Sequence, residues 1–286
     1  MGFVRAIKTA SRLRMALIGP SGSGKTWTAL ALATALADGK EVAVIDTERG
    51  SASKYADIFP PFDVLNLDTF SPESYIEAIH AAEEGGYGVL VIDSISHEWA
   101  GPGGILEIVD GVARRNKGGN SFAAWGEVTP RHNRFIDAIT RARLHVIVTI
   151  RSKQEYVLDK DERTGRTTPR KVGLAPIQRA HVEYEMDIAA DMDIDHTLIV
   201  QKSRCPALAN AVIARPGADL AETLRAWLQG VPPAEAERAA LVAQITSLRA
   251  AVGEAAPDPA GMEQATDEQL RRERTRLTTK HAEAAH

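Results

Sequence analysis

The sequence contains a single cysteine, Cys205, and only 5% aromatic residues. A lone cysteine excludes an internal disulfide bond and a zinc site built from several cysteines. No apolar run approaches the roughly 18 uncharged residues of a membrane-spanning helix, and no signal peptide opens the chain. We therefore expect a cytoplasmic protein that makes no membrane contact.

Neither sign of charge is in large excess, since 34 Lys and Arg residues stand against 38 Asp and Glu residues, for a net charge of -4. Such a balance gives the molecule no general attraction for polyanions, so any contact with nucleic acid must use local basic patches. A chain of 286 residues with 44% hydrophobic residues can bury a sizeable core, either as one large domain with an appendage or as two small domains.

Apolar runs alternate with helical patterns through the first 150 residues. This alternation predicts an α/β fold with a mostly parallel, twisted sheet flanked by helices. Strand-like runs beyond residue 151 predict β-hairpins that extend the sheet in antiparallel fashion towards its C-terminal part. The predicted strands are 14–19, 41–46, 64–67, 89–93, 144–150, 155–158, 185–191 and 196–201, and the predicted helices lie near 25–38, 72–85, 128–142 and 217–228.

The composition changes at Gly230-Val-Pro-Pro233, where a break precedes a stretch rich in Ala, Glu and Arg. We predict a core over residues 1–229, followed by a linker and a small helical tail over residues 230–286. A second break at residues 257–261 divides the tail into two helices. These helices are expected to form a solvated pair or to dock a partner.

A run of small residues ending in Lys and Thr matches the P-loop (Walker A) spacing G-x-x-x-x-G-K-[ST]. Small residues let successive backbone N–H groups turn inward around phosphate oxygens, and the following helix directs its positive end at the anion. Lys25 would reach the β- and γ-phosphates, and the Thr26 hydroxyl would bind Mg²⁺. The predicted nucleotide contacts are Gly19, Pro20, Ser21, Gly22, Ser23, Gly24, Lys25, Thr26 and Trp27.

Asp93 follows four apolar residues at the end of the predicted strand 89–93, as in a Walker B strand. An acid at the end of a buried strand neighbouring the P-loop can hold Mg²⁺ together with Thr26. The sequence contains no Asn-Lys-x-Asp segment of the kind that reads guanine, since Asn116-Lys117 is followed by two glycines. The expected ligands are therefore ATP and Mg²⁺.

Hydrolysis also needs a group that orients or deprotonates water. Glu48 follows a predicted strand, so it is expected at the same rim as the nucleotide, and it is the favoured candidate. Glu73 opens a predicted helix after Ser71-Pro72, where an acid is also favoured by the helix dipole. Glu98 is a further alternative, and a site without a catalytic glutamate stays open as well.

Four motifs occur in this order along the chain: the P-loop, Val-Ile-Asp-Thr-Glu48, Ile-Asp93-Ser94 and Ile-Val-Gln-Lys202-Ser-Arg204-Cys-Pro206. Their order and rough spacing resemble those of RecA-like recombinases over about residues 10–215, and in particular those of the phage RecA-like ATPases of the Sak type. The resemblance implies a RecA-like core that hydrolyses ATP, with stimulation by single-stranded DNA. It also implies a role in phage or prophage homologous recombination, by annealing or strand pairing, in the cytoplasm of a bacterial host.

The same resemblance implies a homo-oligomer, either a ring or a filament, with ATP at the interfaces between protomers. Lys202 and Arg204 match the paired cations with which such proteins touch the γ-phosphate of a neighbour. The alternative is that both are solvated charges on an exposed strand edge. A single-strand-binding protein or another recombination protein is a further expected partner. Glu48 matches the catalytic glutamate of one branch of the group and Glu73 that of another, so the choice stays open.

Family members bind DNA through two mobile loops, which correspond here to residues 96–125 and 151–172. Cations in these segments would grip phosphates, and Phe122, Trp125 or Tyr156 could stack with bases. The strand that leads into the second segment ends Thr149-Ile-Arg151-Ser, which departs from the Asn-Gln strand ending of the bacterial family. The predicted DNA contacts are Arg114, Arg115, Lys117, Lys153, Lys160, Arg163, Arg166, Arg170 and Lys171.

Two other classes of function compete with this interpretation. A nucleotide-switched loader or adaptor would use the helices of residues 234–286 to grip a protein partner. A small-molecule kinase would use residues 151–172 as an arginine-bearing lid over its substrate.

Overall fold

The computed structural model describes residues 11–115, 121–160, 167–229 and 233–284. Nine strands in this part form one sheet, in the order β3-β2-β4-β5-β1-β7-β8-β9, with β6 paired to β5. The strands are β1 (Arg14–Gly19), β2 (Val42–Asp46), β3 (Phe62–Asn66), β4 (Val89–Asp93), β5 (His145–Lys160), β6 (Thr167–Pro176), β7 (Ile188–Met192), β8 (Thr197–Ser203) and β9 (Val212–Ala214).

The sheet is parallel from β3 to β7, and the pairs β7–β8, β8–β9 and β5–β6 are antiparallel. This arrangement confirms the predicted α/β fold with antiparallel strands added towards the C-terminal part. The helices are α1 (Lys25–Leu36), α2 (Pro72–Glu84), α3 (Ser96–Ala100), α4 (Ile105–Arg115), α5 (Ser121–Arg141), α6 (Ala218–Leu228), α7 (Pro233–Ala251), α8 (Pro259–Gln264) and α9 (Asp267–Ala284).

The core lies in two layers, one on each face of the sheet. Alternate residues of β1 point to opposite faces: Met15 and Leu17 pack with α1 and α6, whereas Ala16 and Ile18 pack with α2 and α5. All four are almost completely buried, which explains why the strand is a continuous apolar run and not an alternating one. Burial of each large apolar side chain contributes about 1.5–3 kcal/mol to folding.

The lateral order of the strands corrects one expectation about the site. Asp93 was expected on a strand neighbouring the P-loop strand, but β5 lies between β4 and β1. The run 144–150 is as apolar as β4, so periodicity alone gives no preference for either strand beside β1. The intervening β5 brings two of its own residues, Thr149 and Arg151, to the site.

The first segment expected to be a mobile loop, residues 96–125, is largely helical. It contains α3, α4 and the start of α5, which begins seven residues before the predicted helix at 128. Ile105, Val109 and Val112 of α4 pack on Ala124 and Val128 of α5 in a small separate core. Their spacing of four and then three residues is typical of one face of a helix, and it indicates helix more strongly than the nearby glycines indicate a loop.

The second such segment, residues 151–172, falls within an antiparallel hairpin of β5 and β6. The pairing runs from Ser152 opposite Pro176 to Lys160 opposite Thr167. Residues 161–166, between the two strands, lie outside the described part of the chain.

The helical tail has a small core of its own. Leu241 and Ile245 of α7 pack against Leu270 and Leu277 of α9. The break expected at residues 257–261 contains a third short helix, α8, which Asp258 caps by accepting from two backbone N–H groups. Helix α7 also contacts α6 and the turn that follows β8. Among the described helices, none combines the length and the apolar character needed to cross a membrane.

Candidate nucleotide-binding site

The loop between β1 and α1 has a backbone that only glycine accommodates at three positions. Gly22 and Gly24 have φ angles of +82° and +86°, in the left-handed region that other residues rarely adopt. A Cβ atom on Gly19 would clash with the carbonyl oxygen of Met192 in β7. These constraints give the loop the inward turn that the motif predicts.

Two side chains of the loop suit an anionic ligand. The Lys25 ammonium donates hydrogen bonds to the carbonyl oxygens of Gly19 (2.9 Å) and Pro20 (2.7 Å). Burial lowers the pKa of Lys25, although the negative charges of Asp93 and Glu48 act to raise it. Ser23 Oγ is buried without a hydrogen-bond partner among the described residues. A phosphate group in the loop would supply acceptors to both, so these residues fit a nucleotide phosphate.

Asp93 is held between two threonine hydroxyls. Thr26 Oγ1 donates to Asp93 Oδ2 at 2.6 Å, and Thr149 Oγ1 donates to the other carboxylate oxygen. Burial raises the pKa of Asp93, although these two hydrogen bonds oppose the rise. A buried carboxylate beside a threonine hydroxyl supplies the oxygen ligands that Mg²⁺ prefers, with room for the waters that it retains. Thr26 and Asp93 therefore fit the metal that the motif implies.

Glu48 lines the same cavity as Asp93 and is bound by an arginine that the motifs do not include. Arg151 Nε donates to Glu48 Oε1 at 2.7 Å, and both side chains line the cavity. Burial alone would raise the pKa of Glu48, but the hydrogen bond and charge of Arg151 hold it below its ordinary value. Asp46 shapes the turn, because its carboxylate accepts from the N–H groups of Glu48 (2.6 Å) and Ala52 (2.9 Å).

The structure does not bring the other two candidate glutamates to this cavity. Glu73, at the start of α2, forms two hydrogen bonds with Arg131, at 2.8 and 2.6 Å. Glu98 is fully buried and accepts from His132 (3.0 Å) and Gln178 (3.3 Å). Neither lines the P-loop cavity. Of the three glutamates, only Glu48 is positioned to meet a water beside the nucleotide, and its catalytic role stays a prediction.

Lys202 and Arg204 lie at the end of the sheet opposite the P-loop. Strand β8 runs antiparallel to β7, so its last residues point away from Gly19. The Lys202 ammonium donates to the backbone carbonyls of Tyr184 and Met186, and Arg204 forms an ion pair with Asp187 at 3.0 Å. Neither cation lines the nucleotide cavity of its own chain. Contact with a nucleotide would therefore require a second copy.

The predicted DNA contacts are only partly within the described structure. Arg114 and Arg115 are exposed at the end of α4, and Lys153 is exposed near the root of the hairpin. Trp125, one of the expected stacking residues, instead stacks on Trp99 at 5.7 Å, whereas Phe122 is 86% exposed. The side chains of Tyr156, Lys160, Arg170 and Lys171, and the whole of Lys117, Arg163 and Arg166, lie outside the described part.

The cavity, of about 560 Å³, extends beyond the phosphate loop to a wall that the sequence did not reveal. Trp27, which was predicted to contact the nucleotide, packs edge-on against Tyr55 at 5.8 Å. His196, just before β8, and Arg215, just after β9, also line this wall, and the Arg215 N–H donates to the His196 carbonyl at 2.9 Å. The residues of this wall that the sequence analysis missed are Ser51, Tyr55, Arg151, His196, Arg215 and Pro216.

No local motif marks the wall residues, because they come from separate segments of the chain. Tyr55 ends a short 3-10 helix, Arg151 lies in β5, His196 precedes β8 and Arg215 follows β9. His196 and Arg215 both have positive φ angles, 63° and 47°. The residue types alone do not predict this backbone conformation. Tyr55 follows Glu48 by only seven residues, which favours but does not fix a position near the same strand end.

Comparison with known families agrees with this geometry. A sequence model of the AAA domain matches residues 11–210, more than half of the chain, from the start of β1 past the end of β8. A comparison with curated proteins found no match. The matched region contains the P-loop, Asp93, Glu48 and Arg151, whereas Arg215 and the helical tail lie beyond it. The chain therefore belongs to the AAA domain family, and its core is that of a P-loop ATPase.

Proposed function

We propose that this ATPase is a RecA-like protein of phage or prophage origin that acts on single-stranded DNA in homologous recombination, by annealing or strand pairing. One observation carries the proposal. Arg151 begins the β5–β6 hairpin, which corresponds to a DNA-binding segment, and the same residue binds Glu48 in the nucleotide cavity. A single side chain thus links the segment expected to meet DNA with the carboxylate expected to activate water.

In the proposed reaction the P-loop N–H groups and Lys25 hold the phosphates of ATP. Bound Mg²⁺, held through Thr26 and Asp93, would offset the charge of the phosphate oxygens. Glu48 would accept a proton from the attacking water as its oxygen bonds to the γ-phosphorus and the bond to the β-phosphate oxygen breaks. The hydrogen bond from Arg151 to one carboxylate oxygen lowers the pKa of Glu48 and makes it a weaker base, so release of Arg151 would favour this proton transfer.

The root of the hairpin is tied to the segment that follows Asp93. Ser96 Oγ accepts from the Arg151 N–H at 2.8 Å, and the Ile177 N–H donates to the Arg151 carbonyl at 2.7 Å. The Gln178 amide donates to the carbonyl of Ile95 at 2.9 Å. A change in the hairpin on DNA binding would therefore reach Arg151 directly, because no flexible linker separates them. This supports stimulation of hydrolysis by DNA.

The proposed assembly is a ring or filament with ATP between protomers. Lys202 and Arg204 support it, since they lie at the end of the sheet opposite the P-loop of their own chain. Head-to-tail stacking would bring that end of one copy to the nucleotide of the next. Arg204 would then exchange Asp187 for the neighbour's γ-phosphate.

The wall beyond the P-loop is the proposed site of the adenine base. The P-loop defines the phosphate end of the cavity, so the base must point along the remaining length. Tyr55 offers an aromatic face there, and Pro216 and His196 complete the wall. Arg215, at the same wall, would lie close enough to contact the ribose or the phosphates.

ATP turnover with and without single-stranded DNA tests the proposal. We expect the rate to rise when an oligonucleotide is added, and to change with protein concentration as oligomers form. Lys25→Ala should abolish turnover under both conditions, because it removes the cation that holds the phosphates. Turnover that depends neither on single-stranded DNA nor on oligomeric state would contradict the proposed function while leaving the ATPase core intact.

A further inference from the structure

The residue before Glu48 holds the end of β2 against the end of β4. The Thr47 N–H donates to the Asp93 carbonyl at 2.8 Å, and the Ser94 N–H donates to Thr47 Oγ1 at 2.8 Å. Thr47 and Ser94 are both buried, so these groups depend on protein partners and not on bulk water. Glu48 therefore leaves the sheet from a backbone position that the Thr47 hydroxyl helps to fix.

The Thr47 hydroxyl has one proton and several acceptors within reach. The carbonyl oxygens of Asp93 and Ser94 lie 3.1 and 3.2 Å from Thr47 Oγ1, whereas Nδ1 of His97 lies closer, at 2.8 Å. A hydroxyl donates one hydrogen bond and accepts up to two. The Ser94 N–H already donates to this oxygen, so the hydroxyl is free to donate its own proton to His97 Nδ1, the nearest acceptor.

His97 is suited to accept this hydrogen bond, because its surroundings favour the neutral ring. Burial lowers the pKa of His97 and the charge of Arg151 lowers it further, although Glu48 and Asp46 act to raise it. In the neutral ring one nitrogen accepts and the other carries the proton. Acceptance at Nδ1 from Thr47 therefore places the ring proton on Nε2.

Packing holds the ring of His97 in place. It stacks on Phe70, with the two ring centroids 4.9 Å apart and the ring planes tilted by 30°. Gly101 makes this packing possible, since a Cβ atom there would lie only 2.9 Å from the Phe70 ring and 2.9 Å from His97 Cβ. A ring confined in this way presents Nδ1 to Thr47 in one orientation.

His97 does not reach the nucleotide itself. Glu48 lines the nucleotide cavity, whereas His97 does not. His97 is nevertheless near enough to Glu48 for its charge to influence the pKa of that carboxyl. Any effect of His97 on the position of Glu48 would thus pass through Thr47, the residue that precedes Glu48 in the chain.

From these contacts we infer that His97 is a positioning residue for ATP hydrolysis. Its Nδ1 accepts the hydrogen bond of the Thr47 hydroxyl and so fixes the direction in which Glu48 leaves β2 for the nucleotide. The inference rests on the proposed catalytic role of Glu48 and adds the group that aims it. Helix α3 carries His97 next to Ser96, which accepts from the Arg151 N–H. The same short helix therefore contacts both the turn of Glu48 and the arginine that binds its carboxylate.

Steady-state ATP hydrolysis by the full chain, without DNA, tests the inference through three substitutions of His97. In His97→Ala the acceptor is lost, so kcat should fall roughly tenfold at unchanged KM for ATP, because a small misplacement of a catalytic group can cost up to about a hundredfold in rate. His97→Asn should recover most of this loss, since its amide oxygen takes the place of Nδ1. His97→Gln carries its amide farther out, near the position of Nε2, and should be as slow as His97→Ala.

Substitutions of Thr47 test the other end of the same hydrogen bond. Thr47→Val keeps the shape without the hydroxyl and should lower kcat as His97→Ala does, whereas Thr47→Ser keeps the hydroxyl and should be faster than Thr47→Val. The double variant Thr47→Val/His97→Ala should be no slower than the slower single variant, because the same hydrogen bond is lost in each case. His80→Ala makes the same change at an exposed histidine of α2 and should hydrolyse ATP as the wild type does.

The outcomes separate the inference from the proposed reaction. Wild-type kcat in His97→Ala, equal kcat in His97→Asn and His97→Gln, or additive losses in the double variant would each overturn the role of His97 while Glu48→Gln stays slow. A lower melting temperature of His97→Ala with no recovery of kcat in His97→Asn would leave His97 a structural role only. Wild-type hydrolysis in Glu48→Gln would overturn the proposed reaction and the inference together. No result bears on the proposed action on single-stranded DNA, since the assay contains none.

Discussion

Arg151 and Glu48, 103 residues apart in the chain, meet in the nucleotide cavity with Arg151 Nε 2.7 Å from Glu48 Oε1. The contact keeps the carboxylate charged despite its partial burial, and it occupies one of the two carboxylate oxygens. Glu48 is therefore held as a charged carboxylate, and its own partner makes it a weaker base. Release of Arg151 would leave a partly buried carboxylate with a higher pKa, which is a better proton acceptor.

Replacement of the carboxylate by an amide is the most direct test of Glu48. Glu48→Gln should retain ATP binding and slow hydrolysis by about a hundredfold or more, because the amide keeps the shape but does not accept a proton. Nucleotide binding and single-turnover hydrolysis, measured side by side, separate the two effects. Glu73→Gln makes the same chemical change outside the cavity, at a carboxylate that binds Arg131. A larger loss in that variant than in Glu48→Gln would move the role to Glu73.

Loss of the Arg151 side chain should uncouple hydrolysis from DNA. In Arg151→Gln the pKa of Glu48 loses the hydrogen bond and charge that lower it, so burial should raise it. The acid limb of the turnover profile should then move to higher pH, while the stimulation by single-stranded DNA decreases. Arg143→Gln, at a side chain that is 80% exposed, is the matched control. An unchanged acid limb together with normal stimulation would show that Arg151 does not control Glu48.

The strands and the chemistry of the P-loop could be predicted from the sequence because both depend on short stretches of chain. Buried strands such as β1 and β4 are continuous apolar runs, and the spacing from Gly19 to Thr26 is specific to phosphate-binding loops when a strand precedes it and a helix follows. The position of β5 between them could not be predicted, since periodicity reports burial and not lateral order. Arg151 was accordingly counted among the loop cations and not as a partner of Glu48.

The wall residues His196 and Arg215 could not be predicted for a different reason. His196 lies in the turn between β7 and β8, and Arg215 follows β9, so both reach the cavity only once the antiparallel strands are paired. The helices α3 and α4 were not predicted for another reason, because the family resemblance assigned residues 96–125 to a mobile loop. The spacing of Ile105, Val109 and Val112 nevertheless indicates a helix. The positions of His196 and Arg215 thus depend on tertiary contacts, whereas α4 could have been predicted from its local apolar spacing.

Asp93 should lower the stability of the nucleotide-free protein. Burial raises its pKa above the unfolded value, so the stabilising protonated form is lost as the pH rises through the folded pKa. The two donors to Asp93 are threonine hydroxyls, and a hydroxyl can turn and accept from the amide of an asparagine. Asp93→Asn should therefore raise the melting temperature without nucleotide by about 2 °C or more, with a larger gain at pH 8 than at pH 5. The same variant should lose the additional stabilisation that Mg-ATP gives to the wild-type protein.

The corresponding change at Asp46 is the control, with an effect of opposite sign. Asp46 accepts from the N–H groups of Glu48 and Ala52, one on each carboxylate oxygen. An asparagine has one acceptor oxygen, so Asp46→Asn should leave one N–H group unsatisfied and lower the melting temperature. A lower melting temperature for Asp93→Asn as well, at every pH, would show that its charge is not a source of strain in the nucleotide-free state.

Arg204 should act on the nucleotide of a neighbouring copy, and mixing experiments can show this directly. Arg204→Ala should bind ATP normally and hydrolyse it poorly, because its own cavity is intact and its side chain lies at the opposite end of the sheet. Lys25→Ala has the reverse defect, with an intact Arg204 and a damaged P-loop. If Arg204 reaches across an interface, a mixture of the two inactive variants should recover part of the activity, since some interfaces combine the intact cavity of one with the intact arginine of the other.

The control is Arg141→Ala, at an exposed position at the end of α5. This variant should hydrolyse ATP at the wild-type rate by itself, and a mixture of it with Lys25→Ala should show no more activity than Arg141→Ala contributes. Wild-type turnover in Arg204→Ala, or no recovery in a mixture that still forms oligomers, would contradict the action of Arg204 in trans.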